Sequence, residues 1–244
     1  MLNVKKFLLD FEFPNVFLLK FFNLLKWKLV DFYRFFHHKL DLHLYGVYCI
    51  TGLYGCGKTV SMTYLANEYR NKYKDKILIC TNFGFKNQDF PFISLRQLNY
   101  QYDRPIIYFF DEVQNIFPSS NRDFNPLVLE ALTLNRKGHG KRVYWASQDH
   151  ELVHKSFRRL TLKFGLVKTI FGRFTSLRWF NAIDYQRYFE QINYKKRLQL
   201  RASKRISFVQ TDYLRSLYNS YGWDNGERVG DFETNLGEQY IIKK

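Results

Sequence analysis

The chain has 244 residues, 46% of them hydrophobic, enough to bury one substantial core with room for an appendage. Lys and Arg outnumber Asp and Glu by 38 to 22, a formal charge of +16, which favours an anionic partner such as nucleic acid or an acidic membrane surface. Three cysteines, Cys49, Cys56 and Cys80, form no CxxC pair, which excludes a disulfide framework and fits a reducing cytoplasm. No cleavable secretory signal, internal repeat or low-complexity linker is visible. Aromatics reach 19%, mostly Phe and Tyr, an enrichment that an AT-rich genome alone produces in part.

Residues 1–43 read as an N-terminal amphipathic helical segment, 44–210 as a core and 211–244 as a C-terminal helix with a loosely ordered tail. Between 15 and 42 nearly every position is large and apolar. The polar residues Lys20, Asn23, Lys26, Asp31, Arg34, His38 and Asp41 recur every three to five positions. That spacing predicts one long helix with a narrow polar stripe and a broad apolar face, and Pro14 suits its first turn. No run of about 18 uncharged residues exists, which argues against an ordinary transmembrane span. A helix lying in a membrane interface, packing against a partner protein or capsid component, and an embedded hairpin remain the readings. His37 and His38 read as part of a polar face.

Residues 44–51, LYGVYCIT, form a short apolar, β-branched and aromatic run that predicts a buried strand. Gly52, Leu53, Tyr54, Gly55, Cys56, Gly57, Lys58 and Thr59 then match GxxxxGK[ST] letter for letter, with Val60 opening a helical pattern, VSMTYLANEYRNKY. Strand, glycine loop and helix is the context a phosphate cradle needs. The glycines permit backbone angles that turn successive N–H groups toward phosphate, and the helix N-terminus adds its positive end. Lys58 would reach the β- and γ-phosphates of ATP, and Thr59 would offer its hydroxyl to Mg²⁺.

IIYFFDEVQ, residues 106–114, predicts a buried strand that delivers Asp111 and Glu112 at its C-terminal end. Asp111 would hold the Mg²⁺ shell and Glu112 would polarise the attacking water. RVYWASQ, residues 142–148, predicts a third strand ending in Gln148, a candidate γ-phosphate sensor. LVLEALTLNRKGHGK predicts a helix closed by a basic glycine loop. Together these elements predict an α/β fold with a mostly parallel central sheet flanked by helices.

The ordered stretches ITGLYGCGKT, YFFDEVQNIFP and LTLNRKGHGKRVYWASQDHELVHKSFRR resemble the Zot (zonula occludens toxin) family, which includes the filamentous-phage assembly ATPases and looks related to the FtsK/HerA DNA-pumping motors. Asn135-Arg136-Lys137 stands where that family commonly has His-Arg-His. The resemblance implies a P-loop NTPase using ATP and Mg²⁺ and moving viral DNA during assembly, extrusion or packaging. It also implies a homo-oligomeric ring, a hexamer in the related motors, in which one subunit offers an arginine to its neighbour's γ-phosphate. Arg122, Arg136, Arg158 and Arg159 are the candidates, and Arg136 matches the family's basic helix end. The expected location is the host cytoplasm, peripheral at the membrane or on the virion. A membrane-associated scaffold that binds nucleotide as a switch is the alternative.

HELVH, residues 150–154, matches HExxH, which on a helix would put His150 and His154 on one face for Zn²⁺ with Glu151 as base. No third ligand follows at a familiar spacing, Glu190 being the one candidate, and a polar motor helix accounts for the same letters. Residues 160–180 alternate apolar with polar or basic residues and predict strands turning near Gly165 and Gly172. Their Lys and Arg would line a nucleic-acid channel, with Phe and Trp either core or stacked on bases. RLQLRASKR, residues 197–205, is the densest basic cluster. TDYLRSLYNSYG predicts a short helix with Thr211 as N-cap and Gly222 at its end.

Overall fold

The computed structural model describes residues 17–36, 44–190 and 200–218, and it divides into two compact units, 1–42 and 43–244. In the first unit, helix α1 spans Phe17–Phe36. Phe21, Phe22, Leu24, Leu25, Trp27, Leu29, Phe32 and Tyr33 are exposed, whereas Asn23, Lys26 and Val30 are half-buried. Lys20, Lys28 and Asp31 are exposed as well, so the large apolar residues of α1 lie in the open beside charged ones, and of the expected polar stripe Asn23 and Lys26 are half-buried. No helix among the described residues is long and apolar enough to cross a membrane. Pro14, His37, His38 and Asp41 lie outside the described residues.

The second unit is built on one eight-stranded sheet in the order β3-β2-β4-β5-β1-β6-β7-β8. Its strands are β1 (Gly46–Thr51), β2 (Leu78–Thr81), β3 (Phe90–Pro91), β4 (Ile106–Phe110), β5 (Lys141–Ser147), β6 (Thr161–Ile170), β7 (Phe174–Asn181) and β8 (Lys204–Val209). From β3 across to β6 all neighbours run parallel; β7 and β8 then close the sheet as an antiparallel meander. The helices are α2 (Lys58–Tyr73), α3 (Pro126–Thr133), α4 (Lys155–Arg159), α5 (Ala182–Glu190) and α6 (Asp212–Ser216).

The parallel strands are covered on both faces, so they read as continuous apolar runs: LICT in β2 and IIYFF in β4 are buried at every position. One side holds Tyr108, Phe110, Trp145, Phe157 and Phe164 in a common cluster. Tyr108 satisfies its buried hydroxyl by donating to the Gln97 carbonyl at 2.6 Å. On the other side Arg142 donates to the Tyr69 hydroxyl at 2.6 Å and lies 5.3 Å from the Tyr48 ring, which spares a half-buried cation an unpaired state. Much of the aromatic excess is core.

The expected turn at Gly165 is absent, and β6 runs straight through it. A Cβ at Gly165 would come within 2.8 Å of Leu177 and 3.0 Å of Trp179 on β7. The glycine admits a large cross-strand ring rather than reversing the chain. The turn at Gly172 is present, between β6 and β7. Strand β8, unforeseen in the basic cluster 197–205, pairs antiparallel with β7 and edges the sheet. Thr211 caps α6 by accepting from the Leu214 N–H at 3.1 Å, and Leu214 and Leu217 are buried. Gly222 lies outside the described residues.

Candidate nucleotide site

Register brings the predicted pieces to one edge. Thr51 is opposite Ser147, and Phe110 is opposite Trp145, so the segments leaving β1, β5 and β4 emerge side by side at the carboxyl ends of the strands. β5 lies between the strand of the glycine loop and the strand of the two acids. The acids therefore reach the loop across a strand rather than from an adjacent one.

The loop from Gly52 to Gly57 leads into α2, whose N-terminus has no side-chain cap. Its first amides are thus left to an external acceptor. Gly55 (φ +68) and Gly57 (φ +95) take the left-handed conformation that side-chain-bearing residues resist. A Cβ at Gly55 would meet nothing within 4 Å, so the loop is open on that side; one at Gly57 would meet the Thr169 hydroxyl at 2.7 Å. Leu53 and Tyr54 are exposed, Cys56 is half-buried, and Val60 is buried under the helix start. Burial pushes the Cys56 thiol up, with Lys58 opposing.

Lys58 Nζ donates to the Gly52 carbonyl at 2.9 Å and the Leu53 carbonyl at 3.2 Å, and lies 5.9 Å from the Tyr54 ring. Its ammonium is held at the loop itself, where an arriving phosphate would compete for it. The Thr59 hydroxyl donates to Asp111 Oδ2 at 2.5 Å. Asp111 is half-buried, and burial pushes its carboxyl up, opposed by the Thr59 hydroxyl and the Glu112 amide. Asn82 donates to the Asp111 carbonyl at 2.9 Å and accepts from the Asp111 N–H at 2.7 Å. Glu112 sits exposed in the left-handed region (φ 46, ψ 50) at the start of a 3₁₀ turn, and accepts from Asn115 at 3.4 Å. A non-glycine residue held there stores backbone strain of about 1 kcal/mol. Gln148 follows β5 directly, half-buried, and its carbonyl accepts from Thr51 at 3.5 Å.

Thr59 and Asp111 present a hydroxyl and a carboxylate oxygen in contact, a hard-oxygen pair that suits Mg²⁺. The open, uncapped loop suits a polyphosphate. The residues present therefore fit both groups.

Not every predicted residue converges. Arg136 lies over the Tyr45 ring at 4.8 Å, beside the start of β1 and so at the opposite edge of the sheet from the phosphate loop. Arg122 and Arg159 are exposed, and Arg158 is half-buried with a buried Nε that has no partner. HELVH is not one helix. Residues His150–Leu152 form a 3₁₀ turn, Val153 bridges to Pro118, and His154 caps α4 by accepting from the Ser156 N–H at 3.2 Å. His154 is buried against Phe124, at 4.9 Å between ring centres, so the shared histidine face that zinc chemistry needs is not formed.

Two supports lie outside the predicted motifs. Asn82, the residue after the buried β2, carries a local signal as a polar side chain at a strand end. Thr169, which donates to the Cys56 carbonyl at 2.6 Å, lies 113 residues from it, and no local pattern signals it.

No protein-family model and no curated protein sequence matches the chain. Solved structures do. The N-terminal domain of zonular occludens toxin from Neisseria meningitidis is similar at 18% identity and a TM-score of 0.45, over 72% of this chain and 100% of that one. The genome packaging NTPase B204 from Sulfolobus turreted icosahedral virus 2, in complex with sulfate, is similar at 15% identity and a TM-score of 0.39, over 68% of this chain and 91% of that one. The same NTPase with ATP-gammaS is similar at 14% identity and a TM-score of 0.38, over 52% and 76%.

Proposed function

We propose that the chain is a P-loop ATPase that couples Mg²⁺-dependent ATP turnover to movement of viral DNA during virion assembly, extrusion or packaging. The contact between Thr59 of the glycine loop and Asp111 of the acid strand carries the reading, because residues 52 apart meet where metal and phosphate chemistry require them. The uncapped amides of α2 and the loop from Gly52 to Val60 would bind the phosphates. Lys58 would leave its two carbonyl partners for phosphate oxygen. Thr59 and Asp111 would hold Mg²⁺, which when bound neutralises phosphate charge and acts as a Lewis acid. Glu112, on the exposed rim one residue beyond Asp111, would take the proton of the attacking water, and Gln148 would orient that water.

Arg136 is remote from its own chain's loop and stacks on Tyr45, so in catalysis it would act toward a neighbouring subunit of a homo-oligomeric ring. The charge of +16 suits a DNA track. The exposed apolar face of α1 suits docking to the cytoplasmic face of a membrane or to a virion component. A nucleotide-gated scaffold shares the same site, but it has no need of a carboxylate placed like Glu112.

The deciding experiment is steady-state ATP turnover of the full chain, with and without single- and double-stranded DNA, beside Lys58→Ala. Turnover that DNA accelerates and Lys58→Ala abolishes is expected. Turnover by Lys58→Ala at the wild-type rate would remove the assignment, and tight ATP binding without turnover would favour the scaffold.

A further inference from the structure

The antiparallel end of the sheet has two unlike faces. Directly opposed residues on antiparallel strands share a face, so the register sorts side chains into rows. Thr169, Thr175 and Phe208 belong to the face covered by helices, where Phe208 stacks on Tyr64 of α2 at 4.1 Å. On the other face, Phe164 pairs with Phe180 and is covered by Tyr185 of α5, stacked at 4.7 Å from Phe164.

Toward the β6–β7 turn that cover ends. Arg178 stands opposite Arg205, and both are exposed. The next row carries exposed Lys168 opposite Ser176, and the last row is Ile170, Phe174 and Val209, all exposed. Phe171 at the turn is 96% exposed and held at φ +52.

Two features of this face work against the isolated chain. Like charges directly opposite each other on neighbouring strands destabilise a sheet, and among the described residues no carboxylate pairs with Lys168, Arg178 or Arg205. An apolar row with an aromatic at its tip is likewise left in water. One class of ligand relieves both. A nucleic-acid strand offers phosphates to the cations and base faces to the apolar row with its aromatic.

We infer that the open face of β6–β7–β8, through Lys168, Arg178, Arg205 and Phe174, binds single-stranded nucleic acid. The inference rests on the DNA-moving role proposed above and gives it a surface. The strand is also tied to the nucleotide site, since Thr169 on β6 donates to the Cys56 carbonyl within the phosphate loop. A polymer seated on the open face would lie across the thickness of β6 from Thr169, which bonds the loop from the covered face.

The test is fluorescence anisotropy of a labelled 20-nucleotide oligothymidylate with the full chain, without nucleotide, for wild type, Arg205→Glu and Phe174→Ala. Arg205→Glu places a carboxylate opposite Arg178, so it is expected to raise the melting temperature while weakening oligonucleotide binding by about tenfold or more. Phe174→Ala is expected to weaken binding with a smaller change in its salt dependence. A labelled duplex of the same length should bind more weakly than the single strand.

Wild-type affinity in both variants would overturn the assignment. So would a preference for the duplex, or loss of anionic-vesicle binding in Arg205→Glu with oligonucleotide binding intact. Because nucleotide is omitted, the two readings fail separately. Oligonucleotide binding through Arg205 in a chain that hydrolyses no ATP keeps the surface and removes the ATPase. DNA-stimulated turnover with Arg205→Glu binding normally does the reverse.

Discussion

Asn82 holds Asp111 by both backbone groups, its amide donating to the carbonyl at 2.9 Å and its side-chain oxygen accepting from the N–H at 2.7 Å. An asparagine just past the end of β2 thereby fixes the acid that Thr59 touches. Asn82→Ala leaves a part-buried N–H and C=O without these partners, at a cost of about 1–3 kcal/mol. The expected result is a lower melting temperature and weaker Mg²⁺-dependent ATP binding, with little change in ATP binding in EDTA. Equal losses with and without Mg²⁺ would mean that Asn82 supports the fold rather than the metal ligand.

Gly55 and Gly57 are both left-handed but differ in what surrounds them. Gly55→Ala meets open space and carries only the cost of its backbone angle, about 1 kcal/mol. Gly57→Ala adds a contact at 2.7 Å with the Thr169 hydroxyl, itself bonded to Cys56 and Thr175. Gly57→Ala should therefore be the more destabilising in urea titrations, and Thr169→Ala should recover part of that loss. Equal stability of the two alanine variants would contradict the packing described.

Glu112 combines strain with chemistry. Glu112→Gln keeps the side-chain shape and should bind ATP yet stall turnover by about a hundredfold or more. Glu112→Gly relieves the left-handed angle and should raise stability by up to about 1 kcal/mol while losing turnover equally. Brisk hydrolysis by either variant would assign the base elsewhere.

Lys141 opens β5 with its ammonium donating to the Leu98 carbonyl at 2.7 Å, and burial pushes its pKa from the ordinary 10.5 down to about 8. Between those values the unfolded chain holds a proton that the folded chain has released, so this group's contribution to stability rises with pH there. Below about 8 both states are protonated and the contribution is flat. The stability of wild type minus that of Lys141→Met should increase from pH 8 toward pH 9.5, read by urea denaturation. A pH-independent difference would show that the ammonium keeps its ordinary affinity for protons.

Helix α1 belongs to a unit separate from the one carrying the sheet. Removing residues 1–42 should leave a soluble chain that retains ATP binding and loses association with anionic vesicles. Aggregation of the shortened chain would instead make α1 a subunit contact or core element.

The sequence alone determined the parts of the site whose signals are local. A phosphate loop needs consecutive residues between a strand and a helix, so Gly52 to Thr59 announced it. A strand buried on both faces is a continuous apolar run, so residues 106–110 announced β4 and the acids after it. Only the tertiary structure decided what register and distance decide. It set β5 between the loop and acid strands, bonded Thr169 to a loop carbonyl 113 residues away, and moved Arg136 to the far edge. It also turned Gly165 from an expected bend into room for Trp179 and broke HELVH across two elements. Local spacing fixes backbone preference over a few residues; which side chains meet depends on how separate strands align, and no short window of sequence carries that information.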